Sequence, residues 1–230
     1  MKKLVLVILS IWMVASISAQ SVKPKEVTAE DYLPLLRSSG YTVYPFDISD
    51  FLDETYHFTF KIKEYVDAVE DNSKQRNFIL PNRIMLSEFP KESQESILKE
   101  GKAIDPPKGI YMQSQKMSIG LIPSQTDSIQ TIHINMDGLG ESKVKLNLKP
   151  IKFPKNGEIC YEYGSVPFSF DKFEEGKFIP LVFFASFWVD EKYGFLRFCG
   201  VSEIPPTMES DYVENTPHYY VIGVEINKKN

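Results

Sequence analysis

The stretch TYHFTFKIKEYV, residues 55–66, constrains the fold more than any other. Tyr56, Phe58, Phe60 and Ile62 are apolar, while His57, Thr59, Lys61 and Lys63 are polar. Only an extended chain sends alternate side chains to opposite sides, so this period of two predicts a strand with one buried face. Similar runs follow from Gly109 onward: YMQSQKMSIGLI, IQTIHINM, SKVKLNL, EICYEYG, FIPLVFFASFWV, YGFLRFCGV and HYYVIGVEI. Asp137-Gly138 and Asn156-Gly157 are turn signals between them, and Pro150 and Pro154 suit an edge strand or an irregular stretch. Two segments read as short helices. DYLPLLRSSG has Asp31 as a cap, Pro34 in the first turn and Gly40 at the end. FPKESQESILKEG has Pro90 near its start and Gly101 after its end. About nine strands and two helices, without strand–helix alternation, predict a mainly β chain. The expected architecture is an antiparallel β-sandwich, jelly-roll arrangements included, with one or two short peripheral helices.

The N-terminus predicts export. Lys2 and Lys3 precede an apolar run over residues 4–17, and SAQ follows at residues 18–20. A basic start, a short apolar core and a small residue before the cut form a secretory signal, with cleavage expected after Ala19. The run is shorter than the ~20 residues that span a bilayer. The expected organisation is therefore a signal peptide at 1–19 and one β-rich domain at 20–230. AIDPPKG offers an alternative split near 103–109. Destination is the periplasm or the extracellular medium, with no membrane span in the mature chain.

Charge narrows the partners. The formal net charge is −5, and losing Lys2 and Lys3 makes it −7. Nucleic acid needs clustered lysine and arginine, so it is excluded as a partner. Two cysteines, Cys160 and Cys199, remain in an oxidising compartment. They predict either one disulfide or two separate buried thiols.

Known catalytic patterns are missing: no nucleophile elbow, Cys-x-x-Cys, His-Glu-x-x-His or P-loop occurs, and nothing points to a cofactor. His57, His133 and His218 are far apart in sequence and read as surface residues. Asp47, Asp50 and Asp53 lie close enough in sequence to suggest calcium, but their spacing is not that of an EF-hand, and a solvated turn is the alternative. ESDYVE, residues 209–214, resembles the Glu-x-Asp-x-x-Glu signature of jelly-roll glycoside hydrolases of the laminarinase kind. That resemblance implies a nucleophile at Glu209, an assisting Asp211 and an acid/base Glu214. Retaining chemistry then needs the two carboxyls about 5–5.5 Å apart. Ser210 departs from the family's apolar second position, and the flanking prolines suggest a loop rather than a bulged strand.

LVFFASFWVDEKYGFLRFCG, residues 181–200, predicts a hairpin with Val189 opposite Gly194. Phe183, Ala185, Phe187, Leu196 and Phe198 then form a dry face, the expected sandwich core. Phe184, Ser186 and Trp188 share the other face with Arg197 and Cys199. Two readings of Arg197 follow. It lines a ligand groove with Phe184 and Trp188, since aromatic planes beside a guanidinium suit sugars or acidic ligands. Alternatively it is architectural, paired with Glu162 on a neighbouring strand that sets Cys160 opposite Cys199.

The SAQ ending, the size and the segment YGFLRFCGVSEI resemble an uncharacterised family of exported Bacteroidetes proteins, a domain of unknown function. That resemblance implies no particular activity. The leading expectation is a non-catalytic exported sandwich that binds a glycan or an envelope protein. A glycoside hydrolase using Glu209 and Glu214, and a structural component of an envelope assembly, are the alternatives.

Overall fold

A computed structural model of the chain describes residues 25–74, 76–123, 126–153, 157–169, 173–190, 192–198 and 200–229. The first strands are β1 (Thr42–Asp47), β2 (Tyr56–Val66), β3 (Val69–Glu70), β4 (Arg76–Pro81), β5 (Arg83–Met85) and β6 (Ile110–Gln113). Next come β7 (Lys116–Ile122), β8 (Ile129–Met136), β9 (Gly140–Asn147), β10 (Ile151–Lys152), β11 (Ile159–Cys160) and β12 (Tyr163–Pro167). The last are β13 (Phe178–Ser186), β14 (Trp188–Val189), β15 (Leu196–Arg197) and β16 (His218–Lys228). Among the described residues three helices accompany them: α1 (Ala29–Ser38), α2 (Lys91–Lys99) and α3 (Asp211–Asn215).

The chain divides into two compact units, residues 1–35 and 36–230, with the division inside α1. In α1, Asp31 accepts from the Thr28 amide at 2.7 Å, which satisfies one free N–H of the helix start. The helix begins at Ala29, so Pro34 lies inside it rather than in its first turn. None of its residues is buried.

Two sheets carry the second unit, and their strand pairs are antiparallel. One has the order β1-β7-β8-β9. The other runs β12-β13-β16-β2-β3, with β4 also on β2. The alternation read in residues 55–66 is the burial pattern of β2, with Phe58, Phe60 and Ile62 almost fully enclosed. They pack with Ile119 of β7, Ile132 and Ile134 of β8, and Ile222 and Val224 of β16 in the core of the sandwich. Each such side chain contributes about 1.5–3 kcal/mol relative to exposure, so this face fixes the register.

A second apolar layer covers the far side of the larger sheet. Phe183, Ala185, Tyr219 and Val221 pack there with Phe168, Ile204 and Val213 of α3. This corrects the expected placement of the dry face. Phe183 and Ala185 lie under Phe198, Ile204 and Val213, while Val182 and Phe184 enter the core between the sheets. The reason is a bulge in β13: Pro180 pairs with Gly223 and Val182 with Ile222, leaving Leu181 as an extra residue. A Cβ at Gly223 would lie 2.4 Å from the Ile179 carbonyl oxygen, so only glycine permits this close approach.

The hairpin register is also corrected. Trp188 pairs with Arg197 and Val189 with Leu196, two residues from the expected alignment. A two-residue shift keeps every side chain on its face. Asp190 widens the loop, because its side chain accepts from the Tyr193 amide at 3.0 Å while its own amide donates to the Phe195 carbonyl. Cys160 pairs with Ile151 across β10 and β11, and Tyr163 and Gly164 pair with β13, so EICYEYG does not pair with β15. Residues 103–109 form a turn inside the fold, and strands before it pair with strands after it: β1 with β7, β5 with β6, and β2 with β16.

Candidate functional site

A cleft of about 530 Å3 opens where β2 ends, β13 ends and β16 begins. Val66, Asp67, Ser186, Trp188, Val189, Pro217 and His218 line it together with residues 149–152. Its size falls within the usual range for small-molecule sites, about 300–1,000 Å3.

Strand register assembles its floor. Ser186 pairs with Tyr163 across β12 and β13, and His218 pairs with Val66 across β16 and β2. Glu64, at the inward phase of β2, pairs with Tyr220, one step further into the core. The side chain of Phe184 lies beneath, 3% exposed, its ring 5.2 Å from that of Tyr163.

A chain of hydrogen bonds joins these groups. The Lys149 amide donates to the Tyr163 hydroxyl at 2.9 Å. That hydroxyl has one proton to give, and Nδ1 of His218 lies at 2.5 Å against 3.4 Å for the Lys149 carbonyl. Nδ1 therefore accepts, and Nε2 carries the ring proton to Glu64 Oε1 at 3.2 Å. Lys74 Nζ lies 3.5 Å from the same oxygen. His218 and Glu64 are 2% and 4% exposed. Burial holds the imidazole below its ordinary value, and Lys149 and Lys74 act in the same direction; the hydrogen bond and charge of Glu64 oppose the shift. Burial pushes the Tyr163 phenol well up, so it stays a donor.

The Ser186 hydroxyl differs from its neighbours. It is 1% exposed, lines the cleft and has no hydrogen-bond partner among the described residues. A buried hydroxyl without a partner costs about 1–3 kcal/mol, which a ligand could recover.

Of the three residues read as a groove, only Trp188 lines this cleft. Its ring lies 6.3 Å from that of Tyr212 on α3. Phe184 belongs to the core. Arg197 is 45% exposed and bonds Asp190 Oδ2 through Nε at 2.7 Å. Its guanidinium also lies over the Phe195 ring, 5.2 Å from the centroid. Arg197 thus has a carboxylate partner, supplied by its own loop and not by Glu162. Cys199 lies outside the described residues, and so does its pairing with Cys160.

The other expected groups fall elsewhere. Asp47 accepts from the Ser49 amide at 2.8 Å, and Asp53 accepts from the Tyr56 hydroxyl at 3.3 Å. Among the described residues, no three or more His, Cys, Asp or Glu side chains, Asp50 included, gather as metal ligands would. Glu209, Asp211 and Glu214 are all exposed. Ser210 caps α3 there, accepting from the Tyr212 amide, so this segment is a helical turn and not the bulged strand the hydrolase resemblance requires. Among the described residues, no helix is long and apolar enough to cross a membrane.

His218 corrects the reading of the histidines as surface groups, whereas His133 is partly exposed and meets Glu141 at 2.8 Å. Glu64, Ser186 and His218 were not singled out by the sequence. Glu64 had a signal: it continues the phase of Phe58, Phe60 and Ile62, where a carboxylate must be buried.

Comparison with curated proteins and with solved structures gives no match to either. A family profile matches residues 11–228, nearly the whole chain, and its description is a domain of unknown function, DUF5041. The chain belongs to that uncharacterised family.

Proposed function

We propose that this is an exported, non-catalytic binding protein that holds a glycan in the cleft beside Trp188. The observation that carries the reading is the cleft itself, which combines an indole with a buried Ser186 hydroxyl that has no partner among the described residues. An aromatic plane receives the C–H face of a sugar, and a lone hydroxyl meets one of its OH groups. Trp188 and Trp12 are the only tryptophans, and Trp12 falls in the expected leader. Fluorescence of protein purified after export therefore reports on the cleft. Titration with a panel of neutral and acidic oligosaccharides should quench or shift that emission. Calorimetry should show binding lost in Trp188→Ala. A panel that leaves both signals unchanged, or binding that survives Trp188→Ala, rejects the reading.

A structural role in an envelope assembly is favoured by a separate observation. Tyr32, Leu33, Leu35 and Leu36 of α1 are all exposed, at 55%, 49%, 62% and 44%. If α1 docks on a partner, Leu33→Glu with Leu36→Glu should abolish cross-linking of the chain to envelope proteins in intact cells. Unchanged cross-linking sets that role aside.

A further inference from the structure

The charges around the cleft distinguish among glycans. Lys149 and Lys152 line it, and neither makes an ion pair among the described residues. Elsewhere Lys61, Lys63, Lys74, Lys102, Lys108 and Lys143 each meet a carboxylate. The lining thus sets two unpaired lysines against one carboxylate, Asp67, with a neutral His218 beneath, in a chain of net charge −5. Their backbone is anchored. The Lys149 amide is bonded to Tyr163, and Ile151 between them is 7% exposed and paired with Cys160. The Ser186 hydroxyl, buried at the same cleft and without a partner among the described residues, is an independent mark of a ligand. The volume of about 530 Å3 is much more than a lone inorganic anion fills.

We infer that the cleft selects an anionic oligosaccharide, a pyranose chain bearing carboxylate or sulfate groups. Lys149 and Lys152 meet the anionic group, Ser186 bonds a ring hydroxyl and Trp188 carries the sugar face. The inference rests on the glycan reading above and specifies its ligand class. Charge-assisted contacts of this kind are about twice as strong as neutral ones, and they weaken with salt.

Calorimetry on the exported protein tests it with three probes: oligogalacturonate, its methyl ester and a sulfated oligosaccharide of similar length. One of the two charged probes should bind at least about tenfold more tightly than the ester, a difference of about 1.4 kcal/mol. The double variant Lys149→Met, Lys152→Met should bring the charged probes and the ester to the same affinity, with near-UV circular dichroism unchanged. The sulfated and carboxylated arms identify which anion is taken. Equal affinity for ester and charged probes overturns the charge inference and leaves glycan binding standing. A preference for the charged probes that persists in the double variant assigns the charge recognition elsewhere and also overturns it. Failure of every sugar to bind removes both readings.

Discussion

Glu64 and His218 meet diagonally across the β2–β16 ladder, carboxylate oxygen to imidazole nitrogen at 3.2 Å, with both side chains almost wholly enclosed. A buried pair of this kind is sensitive to the loss of either member, since the survivor is left without its partner. Here it also anchors Tyr163, and through Tyr163 the backbone of Lys149.

Stability should therefore fall with acid through His218. Its folded-state value lies below the ordinary 6.5, so the unfolded chain takes up a proton first as pH drops. The contribution is complete above 6.5 and is lost as pH falls through the folded value. Urea midpoints measured from pH 8 to pH 5 should decline more steeply below 6.5 in the wild type than in His218→Gln. Parallel curves would rule the histidine out as a source of the decline.

Removing the carboxylate should be costly in one form and mild in another. Glu64→Ala strips the Nε2–H of its acceptor and leaves a void, for a loss of about 3–5 kcal/mol. Glu64→Gln keeps an acceptor and should cost about 1–2 kcal/mol. It should also lower the His218 value further, because the Glu64 charge raises it. Denaturant unfolding and the histidine NMR titration check the two parts.

Gly223 admits no side chain. A methyl group there would lie 2.4 Å from the Ile179 oxygen and 2.5 Å from the Phe178 ring. Gly223→Ala should cost about 1–3 kcal/mol by overpacking, read as a lower urea midpoint with an unchanged slope. A midpoint equal to the wild type would mean that the bulge can relax.

The turn between β2 and β3 should be improvable. Asp67 and Ala68 both have positive φ, 49° and 63°, and Ala68 gains nothing from its side chain in that region. Ala68→Gly should raise stability by up to about 1 kcal/mol, relief of the left-handed strain exceeding the entropy of the freer unfolded chain. Thermal unfolding decides the sign.

Arg197 should matter little to stability. Its pair with Asp190 is partly solvated, and exposed pairs contribute about 0.2–1 kcal/mol. Arg197→Met should shift the urea midpoint accordingly. It should leave ligand affinity at the Trp188 cleft unchanged, because the guanidinium does not line it. A large loss of affinity would restore Arg197 to the site.

Local pattern was enough to read the strand alternation of residues 55–66, the two longer helices and the hairpin at Asp137-Gly138, where Met136 pairs with Gly140. Trp188 was read from alternation as facing a groove, and its side chain lines the cleft. The rest of the cleft was not. Ser186, His218 and Glu64 come from three strands, and only the order β13-β16-β2 brings them together. His218 begins an uninterrupted apolar run, in which periodicity carries no phase. The partner of Arg197 depended on loop length, and Asp190 sets that length through its own side chain.

The extra residue at Leu181 acts on β13 as a reading-frame shift acts on a message. Ile179 and Leu181 face the sandwich core, and beyond the bulge Val182 and Phe184 do. Odd positions give way to even ones, and that change brings Ser186 to the cleft. Deleting Leu181 would not simply shorten the strand. It would exchange the two faces downstream or push the error into the neighbouring ladders, sending Phe183 and Ala185 inward and Ser186 away. The identity of the cleft is thus encoded in a single count along one strand.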